Sequence, residues 1–137
     1  MGVKEVKNNF FRDSPFIIRV IYALCLSGAS YNHAMINIEH GLFWDYFGAS
    51  LLSCIYWTSL TFLDPLAVFF LFLKPKFGVF LTVAIIVTDV LHNSWFFLKN
   101  GYPVGYAYFA QSAFLIFVLS TARVAWSQKI DSVTRIS

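Results

Sequence analysis

Four long apolar runs dominate the chain, over residues 16–34, 46–73, 77–98 and 104–126. A helix of about 20 apolar residues crosses a hydrocarbon core of about 30 Å. Within that core each backbone polar group must find its partner inside the protein, which favours helices. Charged residues make up 12% of the sequence, about half the share in soluble proteins, so little chain is left for a soluble domain. The expected fold is an all-α integral membrane protein, a single transmembrane domain over 1–137. It is a four-span antiparallel helix bundle with short basic tails at 1–13 and 127–137.

The basic residues fall at the edges of the runs: Lys4, Lys7, Arg12 and Arg19, then Lys74 and Lys76, then Arg123, Lys129 and Arg135. Lys and Arg near span ends stay on the cytoplasmic side. With both termini and the Lys74–Lys76 turn inside, only Lys99 is outside. The segment between the first two runs carries Glu39 and Asp45 and no Lys or Arg, as an outer loop should. Arg19 and Arg123 lie near cytoplasmic span ends, where long cationic side chains reach the headgroups. A nucleic-acid partner needs a basic patch on a soluble face, and none is available. Cys25 and Cys54 both sit in apolar stretches and read as packing residues, not as a disulfide framework or a redox motif.

Ser14 followed by Pro15 reads as a helix start, with 1–13 lying on the inner surface as a short interfacial anchor. A cleavable secretory signal is the rival reading of the first run, and Arg19 within its apolar core argues against it. The second run has 28 residues, about 42 Å as a straight helix, so it must tilt, bend or break. Asp64-Pro65 lies inside it, and proline removes a backbone donor and crowds the carbonyl four residues back. A kink is expected there. The turns Lys74-Pro75-Lys76 and Lys99-Asn100-Gly101-Tyr102-Pro103 separate the later spans.

The polar residues inside these runs carry the functional signal. A carboxylate at the bilayer centre costs about 2.5 to 3.5 kcal/mol on the insertion scale, so an embedded Asp marks a candidate site. Asp64 precedes Lys74 by ten residues and Asp89 follows Lys76 by thirteen, which puts them at similar depth, about 15 and 20 Å from that turn. Asp89, His92 and Asn93 share a face of the third span. Ser50, Ser53, Trp57, Thr61 and Asp64 share one on the second, and the fourth offers Tyr108, Gln111 and Ser112.

The leading reading is a site for a proton, a cation or a small cationic or amphiphilic ligand, built from Asp64, Asp89, His92, Asn93, Trp57 and Thr61. A buried carboxylate can balance an amine, and Trp57, Trp95 and Phe96 offer cation-π faces. One alternative is a structural or assembly subunit whose polar groups only lock helices together, with Asp64 bonding Thr61. Another is an intramembrane lipid- or isoprenoid-modifying enzyme using Asp and His as acid and base, although no GxSxG, HExxH, P-loop or GxGxxG motif supports it. His33, Glu39 and His40 lack a diagnostic metal spacing, so neither a metal nor a cofactor is expected. Beyond the lipid bilayer and a small-molecule ligand, a homodimer or larger membrane complex is an open partner. Gly28, Ala29, Gly48, Ala49, Gly105 and Ala107 are small residues available for helix contact. Compactness and charge asymmetry suit a bacterial plasma membrane.

Overall fold

The computed structural model describes residues 3–127, with side chains from Ser14 onward. Lys129 and Arg135, and most of the C-terminal basic tail, lie outside the described residues. Four helices follow in order: α1 (Val3–His40), α2 (Leu51–Leu73), α3 (Pro75–Asn100) and α4 (Tyr106–Trp126). Among the described residues there is no strand. All four helices are long and apolar enough to cross a membrane, α1 through its Ser14–His40 portion. Their outward faces carry Leu24, Ile38, Phe62, Phe69, Leu91, Leu98, Phe109 and Ile116, all exposed. An apolar exterior of this kind is suited to lipid, not to water.

The helix boundaries correct two expectations. Pro15 does not begin α1, which continues through it from Val3. One proline deletes a single donor, and a long helix keeps its other bonds on both sides. The second span begins at Leu51, not at residue 46. Residues 41–50 turn instead, with positive φ at Gly41, Phe43, Tyr46, Phe47 and Gly48. Ser50 then caps α2, its hydroxyl accepting from the Ser53 N–H at 3.3 Å. The remaining 23 residues measure about 35 Å, so length alone no longer demands a break. Pro65 lies within a helix assigned without interruption.

Lys74 ends α2 and precedes α3, with Pro75 opening the new helix. There the missing proline donor is one that the first turn leaves unbonded anyway. Gly101 terminates α3 in the left-handed region, φ 67°, its N–H bonding the Phe97 carbonyl at 2.9 Å. Glycine adopts that conformation without a Cβ penalty.

The helices form a ring in which α1 packs on α2 and α4, and α3 packs on α2 and α4, with slight contact across the α1–α3 diagonal. Each seam is clipped by at least one interhelical hydrogen bond. Asn37 donates to Thr61 at 2.6 Å between α1 and α2, and Tyr56 to Thr88 at 3.0 Å between α2 and α3. Ser94 and Tyr108 hydroxyls meet at 2.6 Å between α3 and α4. The α1–α4 seam is the most sparsely packed of the four, and it is held by Tyr22. That side chain is fully buried, donates to the Val118 carbonyl at 3.1 Å and lies 2.7 Å from the Thr121 hydroxyl. Its ring packs edge-on against Phe114 and Phe117.

Removing only the hydroxyl, Tyr22→Phe, is expected to cost about 1 kcal/mol, one net hydrogen bond. The ring contacts stay. Equilibrium unfolding in mixed detergent micelles measures this, and no loss would mean that packing alone closes the seam.

Candidate functional site

Away from Tyr22, α1 and α4 present small side chains to each other: Gly28 and Ala29 on one side, Ala107 and Ala110 on the other. A cavity of about 510 Å³ lies between them, with Leu26 and Phe114 also in its wall. Gly28 and Ala107 therefore line space, where small residues had suggested helix-to-helix contact. A Cβ built on Gly28 meets nothing within 4 Å. Asp64 of α2 and Asp89 of α3 belong to the same lining, together with Ile85 and Ile86. The two carboxylates expected at similar depth thus reach one cavity from adjacent helices.

Their surroundings differ. Asp89 is 5% exposed and its Oδ1 accepts from the Asn93 amide at 3.1 Å, one turn along α3. Asp64 is 1% exposed, and both of its carboxyl oxygens are buried without a hydrogen-bond partner among the described residues. Thr61, the neighbour expected to bond it, faces α1 and accepts from Asn37 instead. Buried polar groups are nearly always bonded, so an exception calls for a specific explanation. A carboxylate so placed needs a proton or a cation.

Asn93 is the junction of the site. Its Oδ1 accepts from the Trp57 indole N–H at 2.9 Å, and its amide nitrogen donates to Asp89 and, at 2.9 Å, to Gln111 Oε1 on α4. Indole is a donor only, which fixes the orientation of the amide. Gln111 was only one of several polar residues on the fourth span in the sequence. Its place in the site depends on α4 facing α3 at this level.

Of the predicted site residues, Asp64 and Asp89 line this cavity, and Trp57 and Asn93 line an adjoining one that Gln111 and Ala107 share. Thr61 and His92 line neither. His92 packs among the rings of Tyr56, Trp57 and Trp95, and its buried Nε2 has no partner among the described residues. The Trp95 ring already carries a cation, with Lys99 Nζ 4.8 Å from its centroid. His33 does not join Glu39 and His40: it reaches the adjoining cavity, while His40 Nε2 lies 4.0 Å from Glu39 Oε2 and its ring stacks on Trp44 at 3.9 Å. Arg19 bonds its own helix, donating to the Pro15 carbonyl at 3.0 Å.

Tyr46, in the segment between α1 and α2, also lines the adjoining cavity. Burial, with nearby Cys54 adding to it, raises the phenol above its ordinary range, so it keeps its proton and can donate. No family model matches the chain, and no curated protein or solved structure shows significant similarity to it.

Proposed function

We propose that this is a small membrane protein that binds an organic cation or cationic amphiphile, with Asp64 as the counter-ion and Asp89 as a second negative group in the same cavity. The observation that carries the reading is Asp64: its carboxyl is buried and unpartnered among the described residues, and the residue borders a cavity. A proton would satisfy the carboxyl but leaves the cavity unexplained. Its 510 Å³ falls in the range of small-molecule sites, about 300 to 1,000 Å³. The walls are largely apolar, which suits a ligand whose charge is carried on a greasy body. The seam between α1 and α4 offers entry from the side, by way of the lipid.

The reading includes an antiparallel arrangement with both termini cytoplasmic, as the basic residues favour, and a local bend at Asp64-Pro65. It places the chain in a bacterial plasma membrane. The cavity is built within one chain, so binding does not require a homodimer.

The test uses a dansyl-labelled primary alkylamine and its N-acetylated, uncharged counterpart, titrated into the full chain in nanodiscs. The amine is expected to bind at least about tenfold more tightly than the acetylated probe, the order of one charge-assisted hydrogen bond. Asp64→Asn should sharply reduce that preference, leaving only what Asp89 contributes, without lowering the melting temperature, because it removes a buried charge that has no protein partner. Equal binding of both probes to the wild type would overturn the proposal. So would a charge preference as large in Asp64→Asn as in the wild type.

A second reading, a structural subunit, is favoured by one observation: Asn93 ties α2, α3 and α4 together. Such bonding accounts for Asp89 and Asn93. It does not account for Asp64.

A further inference from the structure

The cavity adjoining the Asp64 site measures about 360 Å³ and has a different chemistry. Aromatic rings, among them Trp57 and Phe96, make up much of its wall. Two residues of that wall each carry a polar atom with nothing to bond: the His33 Nδ1 atom and the Tyr46 hydroxyl are buried and lack partners among the described residues. Tyr46 is delivered by the segment between α1 and α2, its ring 4.5 Å from that of Trp57. Phe43, Tyr46 and Phe47 there have φ of 63°, 44° and 60°. L-residues avoid that region, and they hold it where the surroundings impose it, commonly beside ligand sites.

The two chambers adjoin, since Ala107 and Gln111 border both. Their separation follows from helical rise. On α3, Asp89 lines one chamber and Asn93 the other, four residues on; on α2, Asp64 and Trp57 do so seven residues apart. That is about 6 to 10 Å along the helix axes.

We infer that the ligand is bifunctional: its cationic nitrogen sits at Asp64 while an alcohol or phenol at its other end bonds His33 and Tyr46 in the second chamber. This rests on the amine-binding reading above. A hydroxyl is the group that fits, because it donates and accepts at once. It can accept from the Tyr46 O–H and exchange a hydrogen bond with the imidazole nitrogen. The apolar middle of such a molecule passes beside Ala107, where the side chain is small, and the Asn93–Gln111 bond flanks that passage.

The test is a probe series on the full chain in nanodiscs, displacing the dansyl alkylamine. Alkylamines ending in a phenol are compared with the same amines ending in phenyl, over a range of spacer lengths. At one spacer length the phenol is expected to bind about tenfold more tightly than the phenyl probe. Tyr46→Phe and His33→Leu should each reduce that gain, and the double variant should remove it. Both variants keep a ring or an apolar body in place, and their melting temperatures verify folding. A gain absent at every spacer length, or one that survives the double variant, overturns the inference. If the phenyl-ended amine still binds through Asp64 in that case, the amine site stands alone. If no amine binds, both proposals fall.

Discussion

Asn93→Leu is expected to destabilise the protein by about 2 to 5 kcal/mol, taking three lost interhelical or helix-internal bonds at the strength seen within membranes, about 0.6 to 1.7 kcal/mol each. Leucine has the same branched heavy-atom skeleton as asparagine with larger terminal groups, so no packing volume is lost. What is lost is the group that accepts from Trp57 and donates to Asp89 and Gln111. All three partners then stay buried or half-buried without it, and a stranded polar group costs more than the bond it made. Equilibrium unfolding of both proteins in mixed micelles gives the difference directly. An Asn93→Leu protein as stable as the wild type would mean that the network contributes nothing and that apolar contacts hold the three helices. Ligand binding separates the two readings of the network further. If Asn93 only locks helices, a folded Asn93→Gln variant should bind the dansyl amine as the wild type does.

Gly78→Ala is expected to cost about 3 kcal/mol, the upper end of what overpacking usually costs. Gly78 is fully enclosed near the start of α3, and a Cβ added there would run into the backbone of Phe70 and Leu71 at the end of α2. Backbone cannot rotate out of the way as a side chain can. The two helices would have to separate beside the short Lys74 connection, disturbing Leu71 and Val79, which are essentially fully buried. Gly28→Ala is the control. It adds the same methyl to a helix but meets nothing within 4 Å, and alanine favours a helix over glycine by about 1 kcal/mol. Gly28→Ala should therefore be neutral or stabilising. The two unfolding curves, recorded side by side, test the comparison, and equal costs would mean that α2 and α3 do not meet at Gly78.

The pair also shows how unequally the sequence speaks about positions of one residue type. Gly28 lies in a run of small residues and reads as a helix-contact position, yet it lines a cavity. Nothing local marks Gly78, yet the backbone of α2 at Phe70 and Leu71 lies hard against it. The same holds for the site. The Asp89–Asn93 spacing is a local property, and their hydrogen bond is legible in it. Thr61 shares the face of Asp64 by helical period, but the pull of Asn37 from another helix takes it out of the site. His92 shares a face with Asp89 and is drawn among aromatic rings. Tyr46 looked like the first residue of a span and belongs to a turn, because Gly48 and Ser50 stop and cap the chain more strongly than its apolar character extends the helix.

The sequence by itself determined the four helices long and apolar enough to cross a membrane, and that Asp64 and Asp89 each lie inside one of them. Both depend only on the length of apolar runs and on the fixed rise per helical residue. The tertiary structure alone decided that Asp64 is left without a partner, that Gln111 completes the Asn93 junction, and that space opens between α1 and α4 where Gly28 faces Ala107 and Ala110. Those outcomes depend on how each helix is rotated and how closely it approaches its neighbours. Rotation and approach are set by contacts between residues far apart in the chain, such as Tyr22 with Thr121 and Asn37 with Thr61, and the period of a single helix carries no information about them.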